Sequence, residues 1–260
     1  MRSETFARRL MLSVDAVGYG SRDDQRQRSA QSAIPAVLDR AARYAGLDRS
    51  VWETQEGGDG ELAILPAAQA DAEPVLVEDF VRELHTALAA HNRDLCAEAR
   101  LRLRLAIHNG VAKRADYGYA GQGVVAVSRL VDSAVAKSVM RAVPTASLAV
   151  ILSDRVFADV VAQGHVSLTP SMFRRFSVRN KEFQQQAYLY LPGDDIHAVA
   201  LPDEHDGEQH KDATELETTA TPGSHPRPSP TPARPAPTVH TSIHGSVHAD
   251  NSVIGVQWNA

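Results

Sequence analysis

Cysteine is nearly missing: Cys96 is the one thiol in 260 residues. That excludes a disulfide framework and a cysteine-ligated zinc site within the chain. Cys96 falls inside a helix-like pattern and reads as a small semi-buried hydrophobe. Such sparing use of thiols suits a reducing compartment. A basic excess is missing too, with 27 Lys and Arg against 32 Asp and Glu and a net charge of −5. No global positive field therefore argues for nucleic acid. Long apolar runs are absent as well. The first run, Leu10 to Val14, is broken by Ser13 and ended by Asp15, too short for a signal-peptide core, and no stretch is long enough to span a bilayer. The expectation is a cytoplasmic protein with no nucleic-acid or membrane partner.

Large apolar residues all but vanish after Gly193. The segment DEHDGEQHKDATELETTATPGSHPRPSPTPARPAPT is first acidic, then rich in Pro, Ser and Thr. It cannot bury enough apolar surface to offset the entropy of ordering it. The chain thus divides into a folded domain over residues 1–193, a disordered spacer over 194–238 and a tail over 239–260. In the tail, Val239, Thr241, Ile243, Gly245 and Val247 alternate with His240, Ser242, His244, Ser246 and His248. A period of two predicts a strand with the histidines on one face, and Asp250-Asn251 offers a turn into a second short strand. Gly245 and the β-branched residues argue against a helical histidine metal site. An isolated hairpin is marginal in water, so the tail is expected to dock on a dimer mate or a partner protein.

Within residues 1–193 the pattern is mixed. A strand is predicted over Arg9–Val17 and a helix over Gln25–Gly46, with Gly46 as its stop. A hairpin is predicted from Val51–Gln55 and Glu61–Leu65, and a long amphipathic helix over Val77–Ala99. Leu101–Ile107, alternating Leu and Arg, reads as a half-buried strand. A turn at His108-Asn109-Gly110 and a loop through Tyr117-Gly118-Tyr119 come next. Then follow a helix over Gly123–Met140, a strand over Leu148–Leu152, a Ser-capped helix over Ser153–Gln163, and closing strands over Phe173–Val178 and Ala187–Leu191. The order is β-α-β-β-α-β with additions, an α+β, ferredoxin-like pattern.

Two carboxylates stand out. Asp15 ends the first strand, and Asp59 sits at the tip of the hairpin in ETQEGGDGELAIL, residues 53–65. Taken alone, Asp59 is a turn former among glycines, and Asp15 a strand-end cap. In the β-α-β-β-α-β order the two converge. Neighbouring carboxylates repel unless a divalent cation lies between them, and Mg²⁺ is held by one or two carboxylates plus substrate phosphates.

The chain resembles the class III nucleotidyl cyclase catalytic domain over roughly residues 9–192. The family's Asp-x-x-Gly-Phe/Tyr appears as Asp15-Ala16-Val17-Gly18-Tyr19, and its Gly-Asp hairpin as Gly58-Asp59-Gly60. LRLRLAIHNG matches a basic strand ending in Ile-His-x-Gly. GQGVVAVSRLVDSA matches the start of a helix bearing an arginine, and Val178-Arg179-Asn180-Lys181 matches a late basic strand. The wording also looks like stand-alone actinobacterial cyclase-like proteins.

The resemblance implies a metal-dependent conversion of a nucleoside triphosphate to a 3′,5′-cyclic nucleotide and pyrophosphate, for intracellular signalling. Asp15 and Asp59 would hold two Mg²⁺ or Mn²⁺ ions. Arg129 would stabilise transition-state charge from a partner subunit, and Lys181 or Arg179 would hold phosphates. Main-chain amides from Val17, Gly18, Tyr19 and Gly20 would cradle the triphosphate. Sites shared across a head-to-tail homodimer are expected.

Departures from the family are equally specific. Val125 stands where the family has a transition-state Asn. Gln55 and Gly118 stand at the two base-selecting positions. Losing one oriented donor costs about 10²–10³ in rate. Two readings stay open: an enzyme of undetermined base, or a degenerate cyclase-homology module that binds nucleotide or dimerises and engages a partner through its tail.

Overall fold

Alternation along RRLMLSVDA produces the first strand, β1 (Arg8–Ala16). In the computed structural model, which describes residues 8–115, 118–180 and 183–201, Leu10, Leu12 and Val14 enter one core while Met11 enters another. A strand buried on both faces belongs inside a sheet. The remaining strands are β2 (Glu53–Glu56), β3 (Gly60–Ile64), β4 (Leu103–Val111), β5 (Lys113–Ala115), β6 (Gly118–Ala120), β7 (Leu148–Ser153), β8 (Arg174–Asn180) and β9 (Phe183–Tyr190). Seven of them form one sheet in the order β2-β3-β1-β4-β7-β9-β8, and β5 pairs with β6 separately. β1 lies antiparallel between β3 and β4, which is the ferredoxin-like arrangement expected. β7 joins β4 in parallel, and β9 and β8 extend the sheet antiparallel.

Helices cover both faces. α1 (Asp24–Tyr44) starts at Asp23, whose carboxylate accepts from the Arg26 amide at 2.8 Å. Ala30, Ala33, Ile34, Val37, Leu38 and Ala41 form its buried stripe. It stops at Gly46: the Leu47 amide donates to the Ala42 carbonyl and the Gly46 amide to Arg43, a Schellman motif. A single turn, α2 (Glu73–Val75), and a π turn (Leu76–Phe80) lead into α3 (Val81–Asn92). α1 and α3 share a core with Leu103, Leu105, Val150 and Leu152. On the other face, α4 (Gln122–Val131) and α5 (Ala134–Ala142) pack on Met11, Ala106, Ala149 and Ile151. A short α6 (Asp154–Val156) follows β7, capped by Ser153 as expected.

Several boundaries differ from the sequence reading, each for a local reason. α3 ends at Asn92, seven residues before Ala99, because the buried Asn92 amide exchanges two 2.8 Å hydrogen bonds with the Leu101 backbone and turns the chain there. β4 runs straight through His108-Asn109-Gly110, which pair with Met11, Leu10 and Arg9 of β1. It is buried on both faces: Arg104 is 7% exposed, and Arg102 donates to three carbonyls at the end of α5 and beyond. Gly118 and Tyr119, read with Tyr117 as a loop, lie in β6, which pairs with β5. The helix expected over Gly123–Met140 breaks at Asp132-Ser133, where Ser133 caps α5. Residues 194–201, assigned from the sequence to the spacer, include Ile196 and Val199, which are buried at 2% and 8% exposure. Residues 202–260, with the expected tail, and Lys181 lie outside the described residues. No described helix is long and apolar enough to cross a membrane.

Candidate functional site

The β2–β3 hairpin is fastened to the end of β1. Asp15 pairs with Gly60 across the β1–β3 ladder. The Ala16 amide donates to the Asp59 carbonyl at 2.7 Å, and the Gly57 amide closes the turn on the Gly60 carbonyl at 2.8 Å. These bonds carry Asp15 and Asp59 to the wall of one open cavity of about 370 Å³, which Gln55, Tyr119, Val124 and Ser128 also line. The two acids that sequence order brought together are thus neighbours.

Asp15 does not stand alone. Its register partner on β4 is Arg104, and the guanidinium donates to Asp15 Oδ1. Burial holds the Asp15 carboxyl above its ordinary range; Arg104 opposes that shift and the nearby Asp59 charge adds to it. Asp59 itself has no side-chain hydrogen bond or ion pair with another described residue. Behind the hairpin, Arg49 bonds both Asp39 of α1 and the buried Glu61 of β3, bracing β3 one residue beyond Gly60.

Among the described residues no three His, Cys, Asp or Glu side chains gather closely enough to hold a metal by themselves. Two carboxylates beside an open cavity fit a hard cation that arrives with its own anionic ligands, as Mg²⁺ does with phosphates. They do not fit a cation held by protein alone.

The two base-selecting positions also meet. Gly118 has φ +90°, and a Cβ there would lie 2.6 Å from Gln55 Oε1. The Gln55 amide therefore lies against Gly118 at the cavity. Next to it, the Tyr119 hydroxyl donates to Glu53. Burial, then Glu53, pushes the Tyr119 phenol up to about 12. Glu53 is in turn approached by Arg9 at 3.9 Å and Arg114 at 3.4 Å.

In the turn after β1 the Val17 amide is spent on the Arg102 carbonyl at 2.8 Å, which removes it from the expected cradle. The amides of Gly18, Tyr19 and Gly20 have no main-chain partner among the described residues. The Tyr19 hydroxyl accepts from Gln31 at 2.7 Å.

Other expected residues are not brought here within one chain. Val124, Ser128 and Val131 of α4 line the cavity, whereas Arg129 and Val125 lie off that row, Val125 being 43% exposed. Arg179 lies on β8, the far edge strand, four strand spacings from β1, about 19 Å. Arg104, Glu53 and Tyr119 were not singled out from the sequence. The Leu-Arg alternation of β4 held the signal for Arg104, but its pairing with Asp15 depends on a register that residue order alone does not specify.

No family model matches the chain, and no curated protein does. Solved structures do. An adenylate/guanylate cyclase/hydrolase from Silicibacter pomeroyi is 22% identical, with TM-score 0.51, covering 72% of this chain and 98% of that one. The guanylyl cyclase Cya2 is 16% identical, also with TM-score 0.51, covering 76% and 98%. At these identities the likeness is one of fold: residues of this chain adopt the architecture of solved nucleotide cyclase domains.

Proposed function

We propose that the chain is a metal-dependent nucleotidyl cyclase-like protein that converts a nucleoside triphosphate to a 3′,5′-cyclic nucleotide and pyrophosphate. The observation that carries this reading is the convergence of Asp15 and Asp59 on one cavity through the Asp15–Gly60 pairing and the Ala16–Asp59 hydrogen bond. When bound to these two carboxylates, Mg²⁺ or Mn²⁺ ions supply charge neutralisation at the triphosphate and acidify the ribose 3′-hydroxyl. The 3′-oxygen forms a bond to the α-phosphorus, the bond to pyrophosphate breaks, and the hydroxyl proton passes to solvent.

The chain's own residues divide the remaining work. The Gly18, Tyr19 and Gly20 amides donate to phosphate oxygens. The Gln55 amide offers a donor and an acceptor side by side, so it pairs with the edge of a purine or a pyrimidine by turning over. Arg129, Arg179 and Lys181 act from a second subunit in a head-to-tail homodimer: Arg129 on transition-state charge, the other two on phosphates. In this reading the protein works in intracellular signalling.

One observation favours a second reading. Val125 is exposed on α4 where the family carries a hydrogen-bonding donor, which suits a module that binds nucleotide without turning it over.

Incubation with Mn²⁺ and each of ATP, GTP, CTP and UTP separates the two. The enzyme reading requires cyclic product and pyrophosphate from at least one nucleotide, lost in Asp59→Ala. Nucleotide binding by an intact dimer with no product from any of the four establishes the second reading instead. Product undiminished in Asp59→Ala refutes the mechanism.

A further inference from the structure

Among the described residues Arg104 is the one buried cation, and it stands behind Asp15 rather than among the residues that line the cavity. It is 7% exposed, it bonds Asp15 Oδ1, and its Nε is buried with no partner. We propose that Arg104 is a fixed counter-cation that prevents the Asp15–Asp59 pair from retaining a divalent metal until a triphosphate arrives. This rests on the metal-nucleotide reading above and adds an order of binding to it.

The argument is one of charge and geometry. Asp15, Asp59 and Arg104 together carry one net negative charge, too little to hold two divalent ions against water. Arg104 is carried by the central strand β4 in register with Asp15, so its charge stays beside the site whether or not the hydrogen bond persists. Burial keeps bulk salt from screening it. Asp15 Oδ1 already accepts from Arg104, so a cation must compete with that guanidinium for this oxygen. A triphosphate brings several negative charges and its own oxygens, and reverses the balance. Removing one unit charge a few ångströms from a divalent ion changes its affinity by about ten-fold or more even at an effective dielectric near 20. Arg104 therefore acts as a positioning residue for Asp15 and as a gate on premature metal loading.

Equilibrium dialysis of the full chain against Mn²⁺, with and without inorganic tripolyphosphate in both chambers, tests this. The wild-type protein is expected to retain Mn²⁺ at least about ten-fold more tightly with tripolyphosphate. Arg104→Gln is expected to raise the tripolyphosphate-free affinity about ten-fold and to shrink that ratio. Arg104→Lys, which keeps the charge, is expected to preserve the ratio. Wild-type retention that is equally tight with and without tripolyphosphate overturns the proposal, and needs no variant to fold. A folded Arg104→Gln protein with unchanged or weaker Mn²⁺ retention also overturns it, leaving Arg104 a structural ion pair. No retention by wild type under either condition refutes instead the metal-nucleotide reading on which the proposal rests.

Discussion

The meeting of Asp15 and Asp59 depends on a glycine with no room to spare. A Cβ on Gly60 would lie 1.9 Å from the Val14 carbonyl oxygen, 2.9 Å from its carbon and 3.0 Å from the Asp15 Cα, all backbone atoms. A carbon seldom approaches a carbonyl oxygen closer than about 3.3 Å, so Gly60→Ala must push β3 away from β1 by more than ~1 Å. That opening breaks the 2.7 Å Ala16–Asp59 hydrogen bond, worth about 0.5–1.5 kcal/mol. Overpacking adds about 1–3 kcal/mol, for a total of about 2–4 kcal/mol. For a domain of this size each kcal/mol lowers the melting temperature by about 2–4 °C, so the expected fall is about 5–15 °C. Asp59 also moves from Asp15, so tripolyphosphate-dependent Mn²⁺ retention should weaken in any folded fraction. Gly58→Ala is the control, because a Cβ there has only side-chain neighbours, at 3.8 and 3.9 Å. Thermal unfolding of the three proteins, followed by far-ultraviolet circular dichroism, reads the result. A Gly60→Ala protein that melts within about 2 °C of Gly58→Ala, with unchanged Mn²⁺ retention, refutes the geometry.

Three more outcomes follow from the fold. Asn92→Ala strands the Leu101 N–H and C=O that Asn92 now satisfies, and should cost about 2–4 kcal/mol in urea denaturation. Burial, aided by Arg8 and Arg155, pushes the His108 imidazole down from 6.5 to about 4. A depressed histidine gives stability that is present above pH 6.5 and lost as pH falls toward 4, about 3 kcal/mol in full; urea denaturation across that range should show the slope, and His108→Asn should lack it. Truncation after residue 193 removes the buried Ile196 and Val199 and should cost about 2–4 kcal/mol, whereas truncation after residue 201 should melt like the full chain; equal melting of the two truncated forms contradicts the packing described for Ile196 and Val199.

What could be read in the sequence was whatever local pattern dictates. The strand pattern over Arg9–Val17, the helical spacing over Gln25–Gly46 and the Gly46 stop each act within a few residues, and they located β1 and α1. The motif spacing carried Asp15 and Asp59 because the ferredoxin-like order makes β1 and the hairpin neighbours once the elements exist. What could not be read depends on distant partners. The end of α3 is decided by Asn92 bonding Leu101, and the passage of β4 through Asn109-Gly110 by β1 lying alongside. Arg104 looked like one of two solvated arginines on an amphipathic strand. Only the register of β4 against β1 turns it toward Asp15, and a slip of one residue would point it away. Ile196 and Val199 were too few to stand out against an acidic, proline-rich context.

The central position of β1 has a consequence for the order of assembly. Both of its edges are completed by segments far along the chain: the hairpin follows by about 45 residues, and Arg104 by 89. A chain emerging from the ribosome presents Asp15 long before its counter-ion exists, and the parallel β4–β7 pair waits longer still. Contacts of such separation must offset loop-closure entropy before they return any stability. The carboxylate pair can therefore form once the hairpin is made, before its counter-ion exists, and the other edge of β1 must stay unpaired, with its apolar residues accessible to chaperones or to other chains, until β4 arrives.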